Sequence, residues 1–286
     1  MAKVTDTYGL SNGKTVVLCD CTPPRSGDPA AVDRVGVLSA DYICVAYNPG
    51  KLARADSVAA AYTIKERTGK DVIFNLATRD MNKIAMQSRL LGAQMMGLEN
   101  VVVLGGDRFT EAEAERVKAV DDFTPTGLVG AIAAMNDGQD YRGTNLRGNS
   151  EFCIGATLDL ERDIEREVRL AHRKVEAGAH YLIVQPMYDL ILRQRFLDAY
   201  EQHVGEPLTL PVFWGLQVLD KDGIVLGNVP PKMRQELDGG KPGSEIASEL
   251  LQSYLEAGVR GIYLVPPILR GGARDYEVAQ QVLESV

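Results

Sequence analysis

The 286-residue chain has one tryptophan, three histidines and no apolar run of the ~18 residues that a membrane helix needs. A membrane span is therefore not expected. The opening residues, MAKVTDTYGLSNGK, hold no apolar signal core, so the cytoplasm is the expected location. Basic residues are in deficit: 31 Lys and Arg against 39 Asp and Glu leave a net charge of −8. A nucleic-acid partner calls for a basic face and is not expected. The four cysteines have no regular spacing, which suits a reducing compartment. Cys19 and Cys21 are one residue apart, so on a strand they share a face and are badly aimed for a disulfide. His172 and His203 fall in helical stretches and His180 just ahead of a strand, a poor basis for a metal site. No metal is expected. The Walker A, HExxH, GxSxG and GxGxxG patterns are all missing.

What the chain does have is a strand–turn–helix–strand unit over Val72–Asp107, VIFNLATRDMNKIAMQSRLLGAQMMGLENVVVLGGD. Val72-Ile73-Phe74 is a short apolar run, broken by Thr78-Arg79-Asp80-Met81-Asn82. Ile84, Ser88, Leu91 and Met95 then recur at helical spacing, and Val101–Leu104 is a second buried run. Two buried strands joined by a helix imply a parallel sheet. Further strand candidates are Val16–Cys21, Tyr42–Tyr47, Phe152–Ala156, Tyr181–Gln185, Pro211–Leu216 and Gly261–Val265. Helical patterns lie at Ser57–Arg67, Asn82–Met96, Asp189–His203 and Arg274–Ser285, and at Ile164, Val168, Ala171 and Val175. Eight strands alternating with helices predict a (β/α)8 TIM barrel occupying 1–286 as a single domain, in preference to an open doubly wound sheet.

On such barrels ligands sit beyond the carboxyl ends of the strands. Three polar residues hold that position. Asp20 is near the end of the first strand, where Asp is disfavoured unless something requires it. Asp107 follows Gly105-Gly106, which let a flat ligand approach the backbone. Gln185 ends the sixth strand with a carboxamide that both donates and accepts. Arg173 and Lys174 end a helix, where they could cap carbonyls. The loop Arg108–Lys118 follows the fourth strand and is a lid candidate or a solvated charged helix. Asp222–Pro231 is another long loop on the same face, and Gly138–Ser150 lies at the opposite end.

These residues resemble the methylenetetrahydrofolate reductase family. TRDMNKIAMQSRLLGAQMMGLENVVVLGGD is similar to that family's signature of an Arg-Asp-x-Asn turn, a Gln-Ser-x-Leu-Leu-Gly-Ala helix and a Gly-Asp strand end. RKVEAGAHYLIVQPMYD resembles its second signature, and CTPPR its first strand. The similarity runs from about Val16 to Asp189 and is closest to the short single-barrel bacterial form. It implies flavin-dependent reduction of 5,10-methylenetetrahydrofolate to 5-methyltetrahydrofolate, or the reverse, with FAD as cofactor and NAD(P)H as electron donor. By position, Asp20 takes the place of the acid that protonates the pterin nitrogen, and Asp107 of the aspartate near flavin and folate. Gln185 takes that of the glutamine on the pterin, and Asn75 that of a further substrate contact. Arg173 and Lys174 correspond to the pair near the flavin's ribityl phosphate. Thr78, Gly105 and Gly106 complete the implied cofactor set.

Several positions depart from the family pattern. Asp20 stands where Glu is usual, Asn75 where His or Gln is common, Ala77 where Thr is common, and Gly105 where Arg or Thr is common. The segment TLDLERDIERE lacks the Tyr and His that some members stack near the adenine. An alternative reading is a folate-binding methyl-transfer component, or a subunit that depends on a partner for electrons. A barrel sharing only architecture is the third. The resemblance leaves a homo-oligomer and an electron-transfer partner subunit open.

Overall fold

The computed structural model of the protein describes residues 1–285, so the last residue of the expected 1–286 domain, Val286, lies outside them. Eight strands follow the apolar runs: β1 (Val16–Cys21), β2 (Tyr42–Val45), β3 (Val72–Ala77), β4 (Asn100–Leu104), β5 (Cys153–Leu158), β6 (Tyr181–Pro186), β7 (Val212–Gln217) and β8 (Gly261–Val265). Each pairs in parallel with the next, and β1 closes the ring on β8. The expected (β/α)8 barrel is what forms.

β2 stops two residues short of the expected Tyr47, because Asn48 turns the chain with φ +39° ahead of Pro49. The β1–β2 connection holds a 3-10 helix, Pro29–Val37, in place of an α-helix. The last helix is Tyr276–Leu283, capped by the Asp275 side chain accepting from the Val278 amide at 3.1 Å. Arg274, expected to open that helix, therefore lies in the loop before it.

The strands sort their side chains by two-residue alternation. On β1, Val17, Cys19 and Cys21 pack outward against the helices, while Val16 and Leu18 fill the barrel interior. The next inward position is Asp20. The same count runs from Ile73 to Asn75 on β3 and from Ile183 to Gln185 on β6. Apolar side chains thus fill the barrel's lower layers, and on each of these three strands a polar residue takes the next inward place. All four cysteines are buried and free.

An N-terminal helix, Val4–Leu10, closes the amino end of the barrel. Val4 inserts into the inner core, its amide donates to Asn100 Oδ1 at 3.1 Å, and Thr7 pairs with Tyr42 Oη at 2.6 Å. Its short polar sequence gives it no helical periodicity of its own, so only tertiary contact reveals it. The helix Lys83–Met95 forms as expected, but its spaced apolar set faces out: Ile84 is 56% and Met95 90% exposed. Met86, Leu90 and Ala93 supply the buried face instead.

His180 is structural, as its place before a strand suggests. Its amide donates to Ile154 O at 2.7 Å, and its Nδ1 accepts from the Ile154 amide at 3.0 Å. Burial, with the nearby Lys3 cation, lowers its pKa. The folded state therefore resists a proton that the unfolded chain takes up below about pH 6.5. The contribution is present above that value and is lost as pH falls below it. Urea midpoints at about pH 7.5 and about pH 5.5 are expected to show lower stability in acid. His180→Ala is expected to cost stability at the higher pH and to flatten this difference. An undiminished acid loss in that variant would assign the effect elsewhere.

Candidate active site

Asp20, Asn75, Asp107 and Gln185 line one cavity of about 840 Å³ at the carboxyl ends of the strands. That volume lies in the range of small-molecule and cofactor sites. A second hollow, about 740 Å³, lies at the amino end beside the N-terminal helix and has none of these strand-end groups.

Asp20 sits on the floor, 3% exposed. Tyr263 Oη on β8 donates to its Oδ1 at 3.0 Å, and Arg274 Nε donates to its Oδ2 at 2.7 Å. Both oxygens thus act as acceptors, and a proton-donor role requires Asp20 to exchange one of these partners. Burial and the Asp20 charge push the Tyr263 hydroxyl well above its usual range. Burial alone would lower the Arg274 pKa, but Asp20 outweighs it and raises it. Arg274 is carried on a turn whose Gly271 and Gly272 have φ of +86° and +84°.

Asn75 Oδ1 accepts from Cys44 Sγ at 3.3 Å, which leaves its Nδ2 toward the cavity. Gln185 makes no side-chain hydrogen bond among the described residues. It lies within a register shift between Ile183 and Pro186 that interrupts the β6–β7 ladder. Asp107 is exposed at the rim, three residues past β4, and its carbonyl accepts from Arg79 Nη1 at 2.8 Å. Arg79 is fixed further by Asp80, at 2.6 and 2.7 Å, and stacks over Phe109. A Cβ on Gly106, which sits at φ +82°, would come within 3.2 Å of Arg79 Cβ.

Two expected cofactor positions do not reach the cavity. Thr78 is buried under the wall, tying β3 to β4 through Leu104 O at 3.1 Å and Gly105 O at 3.4 Å. Arg173 is turned to solvent. Neighbouring helical residues project about 100° apart, so only one of the pair can face the barrel, and that one is Lys174. Its Nζ donates to Thr157 O at 2.5 Å, and Leu170 and the buried Glu167 line the same wall. Burial lowers the Lys174 pKa, with Glu167 opposing that shift. Glu167 Oε2 accepts from the Asp159 amide at 3.1 Å.

The rim loops are tied down. Glu113, in the short helix Glu111–Ala114, pairs with Lys51 across the mouth at 2.7 Å. Lys51 and the Thr110 amide hold its carboxyl down at about 2. The lid candidate Arg108–Lys118 is thus mostly exposed chain with one clasp. The Asp222–Pro231 loop is pinned by Gln217, whose side chain donates to Ile224 O at 2.8 Å and accepts from the Leu226 amide at 2.7 Å. Ile224 and Leu226 thereby become apolar wall.

A closed parallel barrel with a mixed polar and apolar cavity at its carboxyl face is the architecture of a barrel enzyme. The sequence profile of methylenetetrahydrofolate reductase matches residues 7–265. The chain belongs to the methylenetetrahydrofolate reductase family. A curated relative, the 5,10-methylenetetrahydrofolate reductase of Pectobacterium carotovorum subsp. carotovorum, is 24% identical over 197 residues. That alignment covers 65% of this chain and 59% of the relative, so the chain spans about three fifths of the relative's length. Among solved structures, an uncharacterized protein from Clostridium thermocellum that binds two copies of 5-methyl-5,6,7,8-tetrahydrofolic acid has the same fold. Its TM-score is 0.62 at 12% identity, over 98% of this chain and 96% of that one. A phosphonopyruvate hydrolase complexed with oxalate and Mg²⁺ matches at TM-score 0.54 and 11% identity, over 98% and 82% of the two chains. At these identities the two structures speak to the fold alone. Among the described residues no helix is long and apolar enough to cross a membrane.

Sequence reasoning passed over Tyr263, Arg274, Arg54 and Glu167. Tyr263 sat inside an apolar run and Arg274 at an expected helix start. Glu167 reads as one of many charges on an amphipathic helix, although its i, i+7 spacing from Lys174 puts the two on one face.

Proposed function

We propose that the protein binds a tetrahydrofolate derivative with its pterin at the cavity floor and interconverts 5,10-methylenetetrahydrofolate and 5-methyltetrahydrofolate. The observation that carries this reading is the convergence of Asp20, Asn75 and Gln185, inward-facing polar residues of three strands, on one cavity. A pterin edge alternates donors and acceptors. The Gln185 carboxamide can meet one of each, the Asn75 amide adds a donor, and Asp107 adds an acceptor from the rim. In the reducing direction a hydride adds to the methylene carbon, the carbon–N10 bond breaks with its electron pair left on nitrogen, and one proton balances the product. Asp20 is the group placed to deliver or steer that proton.

Family membership brings a flavin into this reading, with NAD(P)H as its reductant. A reduced flavin would supply the hydride. Gly105 and Gly106 would offer its flat ring a stretch of backbone on the cavity wall, and Arg79 and Lys174 are cations of the same cavity. Thr78 and Arg173 do not line this cavity. Lys174 is already committed to Thr157 O beside Glu167, which favours a loosely held flavin and, as a second reading, a folate-binding component supplied with electrons by a partner.

The purified protein is expected to bind 5-methyltetrahydrofolate, measured by calorimetry. Its visible spectrum is expected to show flavin in less than one equivalent, filling on addition of FAD. Folate binding with no flavin uptake at any FAD concentration would leave the partner-dependent reading. No folate binding would sink both.

A further inference from the structure

Five cations line the cavity: Arg54, Arg79, Arg162, Lys174 and Arg274. Four are spoken for. Arg79 pairs with Asp80, Arg162 with Asp159, and Arg274 with Asp20, while Lys174 sits on Thr157 O beside Glu167. Among the described residues Arg54 has no carboxylate partner.

Arg54 is nonetheless held in place. The Ala55 amide donates to Pro24 O at 2.8 Å and Arg54 Nη1 to Pro23 O at 3.0 Å, which fixes the side chain against the proline pair that ends β1. Its Nε is buried without a partner. The turn at Gly271-Gly272 packs against it so closely that a Cβ on Gly272 would come within 3.0 Å of Arg54 Nη2. Burial, together with the like charges of Arg274 and Arg25, lowers its pKa. A planar guanidinium with an orphaned donor, crowded by two other guanidiniums, is disfavoured until an anion arrives.

We propose that Arg54 is the anion anchor of the cavity, taking the carboxylate or phosphate end of a ligand whose flat ring lies at the strand ends. The inference rests on the folate reading above and deepens it. A folate carries its ring at one end and its glutamate carboxylates at the other. The polar strand-end set engages the first, and Arg54, beyond the end of β2, receives the second. A guanidinium suits either oxyanion because its fork matches two oxygens at once. A dinucleotide phosphate would satisfy the same geometry.

Equilibrium affinities of the whole protein for 5-methyltetrahydrofolate, for 5,6-dimethyltetrahydropterin (which has the ring and no carboxylate), for NADH, for NADPH and for inorganic pyrophosphate test it. In the expected case Arg54→Met weakens 5-methyltetrahydrofolate about 10- to 100-fold and leaves the simple pterin unchanged. Arg54→Lys keeps part of the affinity through its single charge. Circular dichroism and the unfolding midpoint verify that both variants fold. If the folate and pterin affinities hold and NADH or NADPH weakens by that factor, the anchor stands with phosphate as its anion. If no ligand distinguishes Arg54→Met from the wild type, the anchor is overturned. A wild-type protein that binds pyrophosphate through Arg54 and neither the folate nor the pterin keeps the anchor and loses the folate reading. Binding of none of the five overturns both.

Discussion

Asp20→Asn is expected to lower folate turnover by about 10²- to 10⁴-fold, the range lost with a positioned acid–base group. Oxidation of NAD(P)H by an artificial acceptor through any bound flavin should change far less, because that step needs no proton on the pterin. An amide keeps the carboxylate's shape, but it offers one oxygen where Tyr263 and Arg274 now use two. One of those donors loses its acceptor, so the loss in rate is to be read against the unfolding midpoint of the same variant. Asp20→Glu separates the two ways the site could be built. The side chain lengthens by about 1.5 Å, one carbon–carbon bond. With both oxygens already at 2.7 and 3.0 Å from fixed partners, the extra methylene is expected to crowd Arg274 and lower the rate. A rate equal to or above wild type would mean that the pocket accepts the family's usual Glu. Unchanged turnover in both variants would remove Asp20 from the chemistry.

The barrel was legible because each strand is a short, mostly apolar run, as burial on both faces demands. The site was legible where a polar residue interrupts that run at an inward position in its second half, as at Asp20, Asn75 and Gln185. What could not be read is what faces these residues. Arg274 lies 254 positions from Asp20, and no local pattern joins them. Tyr263 looks like barrel filling until the neighbouring strand is known. Arg173 and Lys174 were read as a pair because they are adjacent in sequence, yet adjacency on a helix is what separates them in space. Thr78 follows the last strand residue, where alternation no longer fixes direction, and it turns into the wall. The exposed set on Lys83–Met95 makes the same point from the other side, since periodicity identifies a helix without saying which of its faces is buried.

Arg274→Met is the second change with a large expected effect. Arg274 and Asp20 are buried together, with side chains 6% and 5% exposed. Removing one member leaves a carboxylate uncompensated in that setting, at a cost of about 3–5 kcal/mol, set against a total of roughly 5–15 kcal/mol for a domain. The neighbourhood decides where the loss is felt. The Arg274 turn is also held by backbone bridges from Ile268 to Ile224 and to residue 274, which the substitution leaves in place. If these contacts keep the turn in place, the whole cost falls on global stability, and urea unfolding shows a lower midpoint with an unchanged slope. If they do not, the turn opens locally, and amide exchange accelerates over Ile268–Arg274 while the global midpoint moves little. The double variant Asp20→Asn with Arg274→Met removes both charges and should recover most of the stability lost in Arg274→Met alone, since an absent pair costs less than a broken one. It should not recover turnover. That combination would show the ion pair to be retained for chemistry, at no net benefit to the fold. Full additivity of the two substitutions would show instead that the charges do not interact.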